Sequence, residues 1–277
     1  LVISLSAGCA KGVVTRPGTL HVGIILTPPR YQWGGEVNSR ASKMRLIFKF
    51  ATPFFDHYLR VWDFEASKRP DVIVSISKFV QSKVQKTYRH DSVVIYPGID
   101  FDFWGVEERQ VVKRDDYYLV VSRLYDYKRI DLAIEACNKL GRKLVIIGQG
   151  PDEKYLRKIA GHRITFLGFG SDDGVKQHMQ KCKAFLFPGV EDFGLTPVES
   201  MACGAPVIAY NKGGLVETVL DYETGLFFDE QNSESLRKAI VEFESIKFDR
   251  GRIMKRALLF SEARFIKSFE KMVDNEI

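Results

Sequence analysis

Long apolar runs are missing from this 277-residue sequence. None approaches the ~20 residues that a bilayer-spanning helix needs, so no transmembrane helix is expected. Cysteine is sparse: Cys9, Cys137, Cys182 and Cys203 stand far apart. They show neither metal-type spacing nor the density of a disulfide scaffold, which predicts reduced thiols and a cytoplasmic protein. The five histidines are scattered, so the sequence offers no metal cluster. Internal repeats and low-complexity segments are absent. No Gly-x-Gly-x-x-Gly opens a helix with an acidic residue ~20 positions on, which argues against a nicotinamide-dependent enzyme. The first nine residues look superficially like the end of a lipoprotein signal. They lack a basic leader and their apolar part is too short, so a core strand followed by a loop is expected.

What is present is an ordinary globular composition, 45% hydrophobic and 27% charged. The formal charge of +6 suits anionic partners such as nucleotides or acidic lipid. No nucleic-acid-binding module accompanies it, and nucleic acid is not an expected partner. Residues 40–62 mix Arg40, Lys43, Arg45, Lys49 and Arg60 with several phenylalanines. Two readings fit: a basic amphipathic surface resting on a membrane, or a helix packing its aromatics inward.

Strand-like runs alternate with helical ones from residue 71 to 96 and again from 117 to 228. This alternation predicts parallel sheets covered by helices on both faces. Pro97-Gly98 and the polar stretch 107–116 mark the boundary, giving a first domain over 1–100 and a second over 101–277 with six predicted strands. The chain opens with Leu1 inside an apparent strand, and the first domain is read as truncated.

The loops after the second domain's strands share one property: each carries groups able to meet a ligand. In open α/β sheets the carboxyl ends of the strands are where ligands bind. Arg123 and Lys128 follow the run 117–122, a guanidinium and an ammonium placed to clamp a diphosphate; a solvated basic loop is the bland alternative. Gly148 and Gly150 follow the run 144–147 and permit close backbone approach. Gly168 and Phe169 end the next strand. After the run 184–187 come Glu191, Asp192, Phe193, Gly194, Leu195, Thr196 and Glu199, where a loop enters a helix. Amides at that helix start suit an anion. Thr196, Pro197 and Glu199 also read as a capping box with proline at the first helical position, in which case Glu199 only satisfies a backbone donor.

Taken together, Ser122-Arg123-Leu124 with Lys128, Arg129, Ile130 and Asp131, the turn 148–151, Phe166 to Gly168, the stretch from Phe187 through Glu191 and Glu199 to Gly204, the run 206–209 and Gly213-Gly214 resemble the family 4 retaining glycosyltransferases, with the GT-B fold. The resemblance covers nearly all of the chain from Pro70. Residues 10–13, His21, residues 27–33 and 59–63 are similar to the O-antigen mannosyltransferase branch. Several expectations follow from the resemblance. The fold is two Rossmann-like parallel-sheet domains, with the last helix, at about 260–275, crossing back to the first. The donor is a nucleotide-diphosphate sugar, with GDP-mannose suggested by the branch. The acceptor is a glycan or lipid-linked oligosaccharide, reached at the inner face of a membrane through peripheral contact, in surface polysaccharide synthesis. Neither cofactor nor metal is implied. Catalytic roles fall to Glu191, Arg123 and Lys128. Donor binding falls to Glu199, Gly148, Gly150, Gly168, Phe169 and residues 192–196. The chain also departs from the pattern. Leu26 stands where the branch has histidine, and His21, five residues earlier on the predicted strand, faces the other way. Gly34 replaces an aspartate, and no glycine-rich loop opens the chain. A nucleotide-sugar-binding module without turnover is therefore the competing expectation.

Overall fold

The computed structural model describes residues 1–33, 52–106 and 113–276. Gly34, Arg40, Lys43, Arg45, Lys49 and most of the polar stretch after Val106 lie outside the described residues. The chain divides into two compact units, Leu1–Tyr96 and Pro97–Ile277.

In the first unit four parallel strands pair in chain order: β1 (Val2–Ser6), β2 (His21–Ile25), β3 (Val72–Ser75) and β4 (Val93–Val94). Helices α1 (Arg30–Trp33), α2 (Thr52–Ala66) and α3 (Lys78–Tyr88) accompany them. All of β2 and β3 is buried, as central parallel strands require. A charged pair lies inside this unit. Lys11 meets Asp63 with both side chains 1% exposed, and the other Asp63 oxygen accepts from Trp33 Nε1 at 2.7 Å and Tyr88 Oη at 2.8 Å. A buried ion pair survives only with such full hydrogen bonding.

The second unit holds a six-stranded parallel sheet of β5 (Tyr118–Val121), β6 (Leu144–Ile147), β7 (Ile164–Gly168), β8 (Ala184–Phe187), β9 (Val207–Tyr210) and β10 (Gly225–Phe228). The spatial order is β10-β9-β8-β5-β6-β7. The chain starts in the middle at β5, winds outward through β6 and β7, and returns to lay β8 on the other side of β5. That reversal between β5 and β8 is the topological switch point of a doubly wound sheet. The strands are short apolar runs because helices cover both faces. In chain order these are α4 (Phe101–Trp104), α5 (Ile130–Leu140), α6 (Glu153–Ile159), α7 (Asp172–Lys181), α8 (Leu195–Ala202), α9 (Leu215–Thr218), α10 (Ser233–Phe243), α11 (Arg250–Leu258) and α12 (Glu262–Asp274). One core joins Tyr118, Val120, Ile134, Leu144, Ile146, Leu186, Ile208, Leu236 and Ile240. The six strands expected between residues 117 and 228 are all present, and the five whose runs the sequence bounds lie within a residue or two of those runs.

The amino ends of these strands are tied by Glu244, just past α10. Its carboxylate accepts from Tyr118 Oη at 3.0 Å, Arg142 Nε at 2.8 Å, Arg142 Nη2 at 2.7 Å and Lys183 Nζ at 2.9 Å. The Arg142 hydrogen bonds, followed by those from Lys183 and Tyr118, hold the Glu244 carboxyl down at about 2. A depressed carboxylate stabilises the fold above its ordinary 4.5 and loses that contribution as pH falls toward 2. Its side chain is 19% exposed, which discounts the effect. Glu244→Ala is expected to lower unfolding free energy by about 2 kcal/mol at pH 7. In urea melts the gap to wild type should shrink below pH 4.5; an equal loss at pH 7 and pH 3 would show that the ion pairs are not its source.

Candidate functional site

The loops that follow β5, β6, β8 and β9 meet at the switch point, and backbone contact brings them together. A Cβ on Gly189 would sit 3.0 Å from the Lys128 carbonyl oxygen, so glycine lets the loop after β8 touch the loop after β5. Gly214 N donates to Glu191 O at 2.8 Å, and a Cβ on Gly214 would lie 2.5 Å from Phe193 Cα. The loop after β9 is thus pressed against residues 191–193. Gly148 and Gly150 have the same explanation: Cβ atoms there would reach 1.9 Å and 2.3 Å from the carbonyl oxygens of Ser122 and Leu124. Their glycines serve loop-to-loop approach. Gly168 takes φ +72°, a turn conformation with no close neighbour for a side chain.

Lys128 and Glu191 form an ion pair at this junction, their side chains 13% and 20% exposed. Lys128 ends a short 3-10 turn, and Arg129 at φ 53° redirects the chain into α5. The ammonium also lies 5.1 Å from the Tyr127 ring and 5.9 Å from the Phe187 ring, so it is held on several sides. Arg123 is placed differently. It is exposed, lies 5.6 Å over the Tyr125 ring, and its guanidinium reaches Tyr127 Oη at 3.4 Å. The structure therefore joins one of the two expected cations to the acidic segment and leaves the other on the tyrosine pair.

Helix α8 starts earlier than Thr196-Pro197 suggests. Its first residue is Leu195, and its N-cap is Gly194 at φ +94°, with no side-chain hydrogen bond. Glycine supplies the turn that threonine was expected to cap. Pro197 then falls at the third helical position, still inside the first turn, where a missing N–H costs nothing. Glu199 lies in the second turn instead of the first, out of reach of a capping box. By contrast, Ser77, Asp100, Ser171, Asn232 and Asp249 each cap a helix with a side chain. Helices α5, α6, α9 and α12 likewise start without a side-chain cap.

Glu199 is half-buried and, among the described residues, its carboxylate has no hydrogen-bond or ion-pair partner. Burial, reinforced by the neighbouring Asp172, pushes its carboxyl up to about 7. An unpaired carboxylate in such a place stays charged only with outside help. Asp192 and Phe193 are buried, Leu195 is 44% exposed and Phe169 is 83% exposed. Sequence reasoning missed Asp172, whose effect on Glu199 depends on where the start of α7 packs. It also missed Phe260, whose ring meets Phe193 edge-on at 5.6 Å. Neither carries a local sequence signal.

Leu26 follows β2 in the first unit, while His21 opens that strand, fully buried with Nε2 2.8 Å from Ser4 Oγ. They stand at opposite ends of the strand. Among the described residues no three His, Cys, Asp or Glu side chains converge as a metal would require, and no helix is long and apolar enough to cross a membrane.

This geometry can be set beside known proteins. The sequence pattern described as glycosyl transferases group 1 matches residues 106–258, over half of the chain. An uncharacterized glycosyltransferase of Methanocaldococcus jannaschii is 30% identical over 184 residues, covering 64% of this chain and 50% of that protein. The GDP-mannose-dependent alpha-(1-6)-phosphatidylinositol monomannoside mannosyltransferase of Mycobacterium tuberculosis is 28% identical over 200 residues, covering 62% and 52%. The chain spans about half the length of these relatives. Among solved structures, Anabaena HepE in complex with UDP superposes with a TM-score of 0.71 at 17% identity, covering 93% of this chain and 72% of that one. Sucrose-phosphate synthase of Thermosynechococcus elongatus does so at 0.73 and 19% identity, covering 92% and 67%. The fold is that of the GT-B glycosyltransferases, and the chain belongs to the group 1 glycosyl transferases.

Proposed function

We propose that this chain carries the donor site of a retaining, family 4 glycosyltransferase that moves a hexose, mannose by preference, from a nucleotide-diphosphate sugar to a glycan or lipid-linked acceptor in surface polysaccharide synthesis. The observation that carries the reading is the meeting of Lys128 and Glu191 at the switch point, beside a helix start with no side-chain cap. GDP-mannose is the preferred donor because a mannosyltransferase that uses it is among the relatives. Cytoplasmic location and peripheral contact with a membrane belong to the same reading. Phe55, Tyr58 and Leu59, exposed on one side of α2, favour that contact.

In the reaction the acceptor hydroxyl oxygen bonds to the anomeric carbon as the bond from that carbon to the diphosphate breaks. Attack comes from the face the diphosphate leaves, and the hydroxyl proton passes to a phosphate oxygen. Negative charge grows on the departing diphosphate. Lys128 and the amides of Gly194, Leu195 and Thr196 offset it, with Arg123 joining after it leaves the tyrosine pair. One preorganised donor of this kind is worth about 3 kcal/mol, on the order of a hundredfold in rate. Glu191 contacts the sugar and Glu199 accepts from the ribose hydroxyls. Gly148, Gly150, Gly168, Phe169, Asp192 and Phe193 frame the donor. The charge is met by protein groups in this scheme, with no metal assigned a step.

A second reading has one observation in its favour. The Leu26 side chain can neither donate nor accept a hydrogen bond at the end of β2, where the resembled branch has histidine, which fits nucleotide-sugar binding without turnover. Labelled GDP-mannose with a lipid-linked acceptor separates the two: transfer of label supports the enzyme. Binding with neither transfer nor hydrolysis supports the module, and absence of binding by any nucleotide sugar removes both.

Glu199 gives a sharper test. A carboxyl raised to about 7 favours the neutral form in the fold. Its charge opposes folding as pH climbs from 4.5 through 7, and that penalty stays in place above 7. Glu199→Gln is expected to raise stability at pH 8 by about 1 kcal/mol while weakening donor binding. Hydroxyls donating to Glu199 favour its ionised form, so wild-type affinity should rise several-fold between pH 6 and 8 and the glutamine variant should stay flat. A nucleotide sugar serves as the probe because its diphosphate, esterified at both ends, does not titrate in this range. Parallel pH profiles for the two proteins would remove the ribose role.

A further inference from the structure

Phe193 is 2% exposed and lies between Glu191 and the start of α8. Its ring meets the edge of Phe260, 4% exposed, at a centroid distance of 5.6 Å and an interplanar angle of 68°. Phe260 stands in the short joint between α11 and α12. Its carbonyl accepts from Ile99 N at 2.9 Å, and Ile99 O accepts from Glu262 N at 3.1 Å, forming a parallel bridge between Ile99 and Ser261. Gly98 is pressed into the same joint, since a Cβ there would lie 2.5 Å from Glu262 Cα. On the ring's other flank, the Arg256 guanidinium lies 5.2 Å from Phe260, and Arg256 Nε donates to Thr218 O at 2.9 Å. Thr218 ends α9, whose preceding Gly214 is the residue bonded to Glu191 O. One buried ring therefore touches the turn that carries the donor amides. Its cation partner bonds the helix behind that turn, and its own backbone fastens the segment by which the chain enters the second unit.

We propose that Phe260 is a positioning residue: through Phe193 it holds the 193–196 turn in place and ties that turn to residues 97–99. The proposal rests on the donor-site reading of that turn. Phe260 touches no reacting atom in this scheme. A buried side-chain pair in a filled core has little room to shift, so the turn is held before ligand arrives. A disturbance at the turn is then felt at the Ile99 amide.

The test uses the 277-residue chain, with GDP and UDP as separate probes. In wild type, whichever nucleotide binds is expected to slow hydrogen exchange at the Ile99 amide as well as at Gly214. In Phe260→Ala the affinity for that nucleotide is expected to fall at least fivefold. Exchange at Gly214 and Ile99 should rise about tenfold while the β6 amides keep wild-type protection. Phe260→Leu, which refills most of the space, should bind within twofold of wild type. A purely structural role predicts faster exchange throughout the unit with affinity unchanged once the protein is folded. That result, or wild-type exchange at Gly214 in Phe260→Ala, overturns the proposal. Should the alanine variant not fold, Phe260→Val takes its place with the same outcomes. Binding of neither nucleotide by wild type would instead defeat the donor-site reading, and the exchange comparison without nucleotide would still decide whether Phe260 holds the turn.

Discussion

The pairing of Lys128 with Glu191 is the contact on which the site depends, and it joins loops that sequence keeps far apart. It exists because the sheet reverses between β5 and β8, which sets the ends of those two strands side by side. An ion pair with side chains 13% and 20% exposed contributes little net stability, because desolvation consumes much of the Coulomb attraction. Its value is in what it holds ready. With the site free of ligand, each group neutralises the other. Under the proposed function an incoming diphosphate would compete for the ammonium and release the carboxylate to accept from a sugar hydroxyl. On that reading the pair is a resting arrangement of two groups whose separate partners arrive together on one donor.

Rigidity around that pair comes from backbone. Gly148, Gly150, Gly189 and Gly214 sit where any side chain would strike a neighbouring carbonyl or Cα. Loops that pack this closely have few alternative arrangements, so polar groups on them hold their positions without long side-chain networks. On the proposed reading, four loops fixed in this way supply the preorganisation that electrostatic catalysis requires.

Much of this was legible in the residues. Six strands were expected in the second sheet and apolar runs announced five of them in place, and the rim that gathers Glu191, Lys128 and Gly194 follows from strand polarity. The start of α8 was not legible, because Thr-Pro is a strong local signal for a cap. Gly194 defeats it with a φ of +94°, at a place where a Cβ would lie 2.7 Å from Leu215 Cδ1. Arg123 shows a second limit: spacing set it beside Lys128 in the chain, while side-chain stacking on Tyr125 takes it elsewhere. The pressure on Glu199 was hidden because it depends on how deeply α8 sinks and on where α7 brings Asp172. The Phe193–Phe260 contact, between residues far apart in sequence, has no period or motif to announce it.

Two glutamates at the two edges of the second sheet are held on opposite electrostatic terms. At the amino edge, Glu244 collects donors from Tyr118, Arg142 and Lys183. There Arg114 also donates to the carbonyls of Cys182 and Gly204, closing the ends of α7 and α8. Three side chains answer the Glu244 carboxylate there, and it is driven toward about 2. At the carboxyl edge a helix begins with no side-chain cap, and Glu199 sits half-buried beside a like charge, driven toward about 7. A fold able to satisfy four donors around one carboxylate is not short of means to pair another. A half-buried carboxylate left unpaired beside a like charge is an expected mark of a place where the missing partner belongs to a ligand. On the proposed reading, a ligand anionic at one end and rich in hydroxyl donors at the other meets the α8 amides and Glu199 together, and a nucleotide-diphosphate sugar has that form.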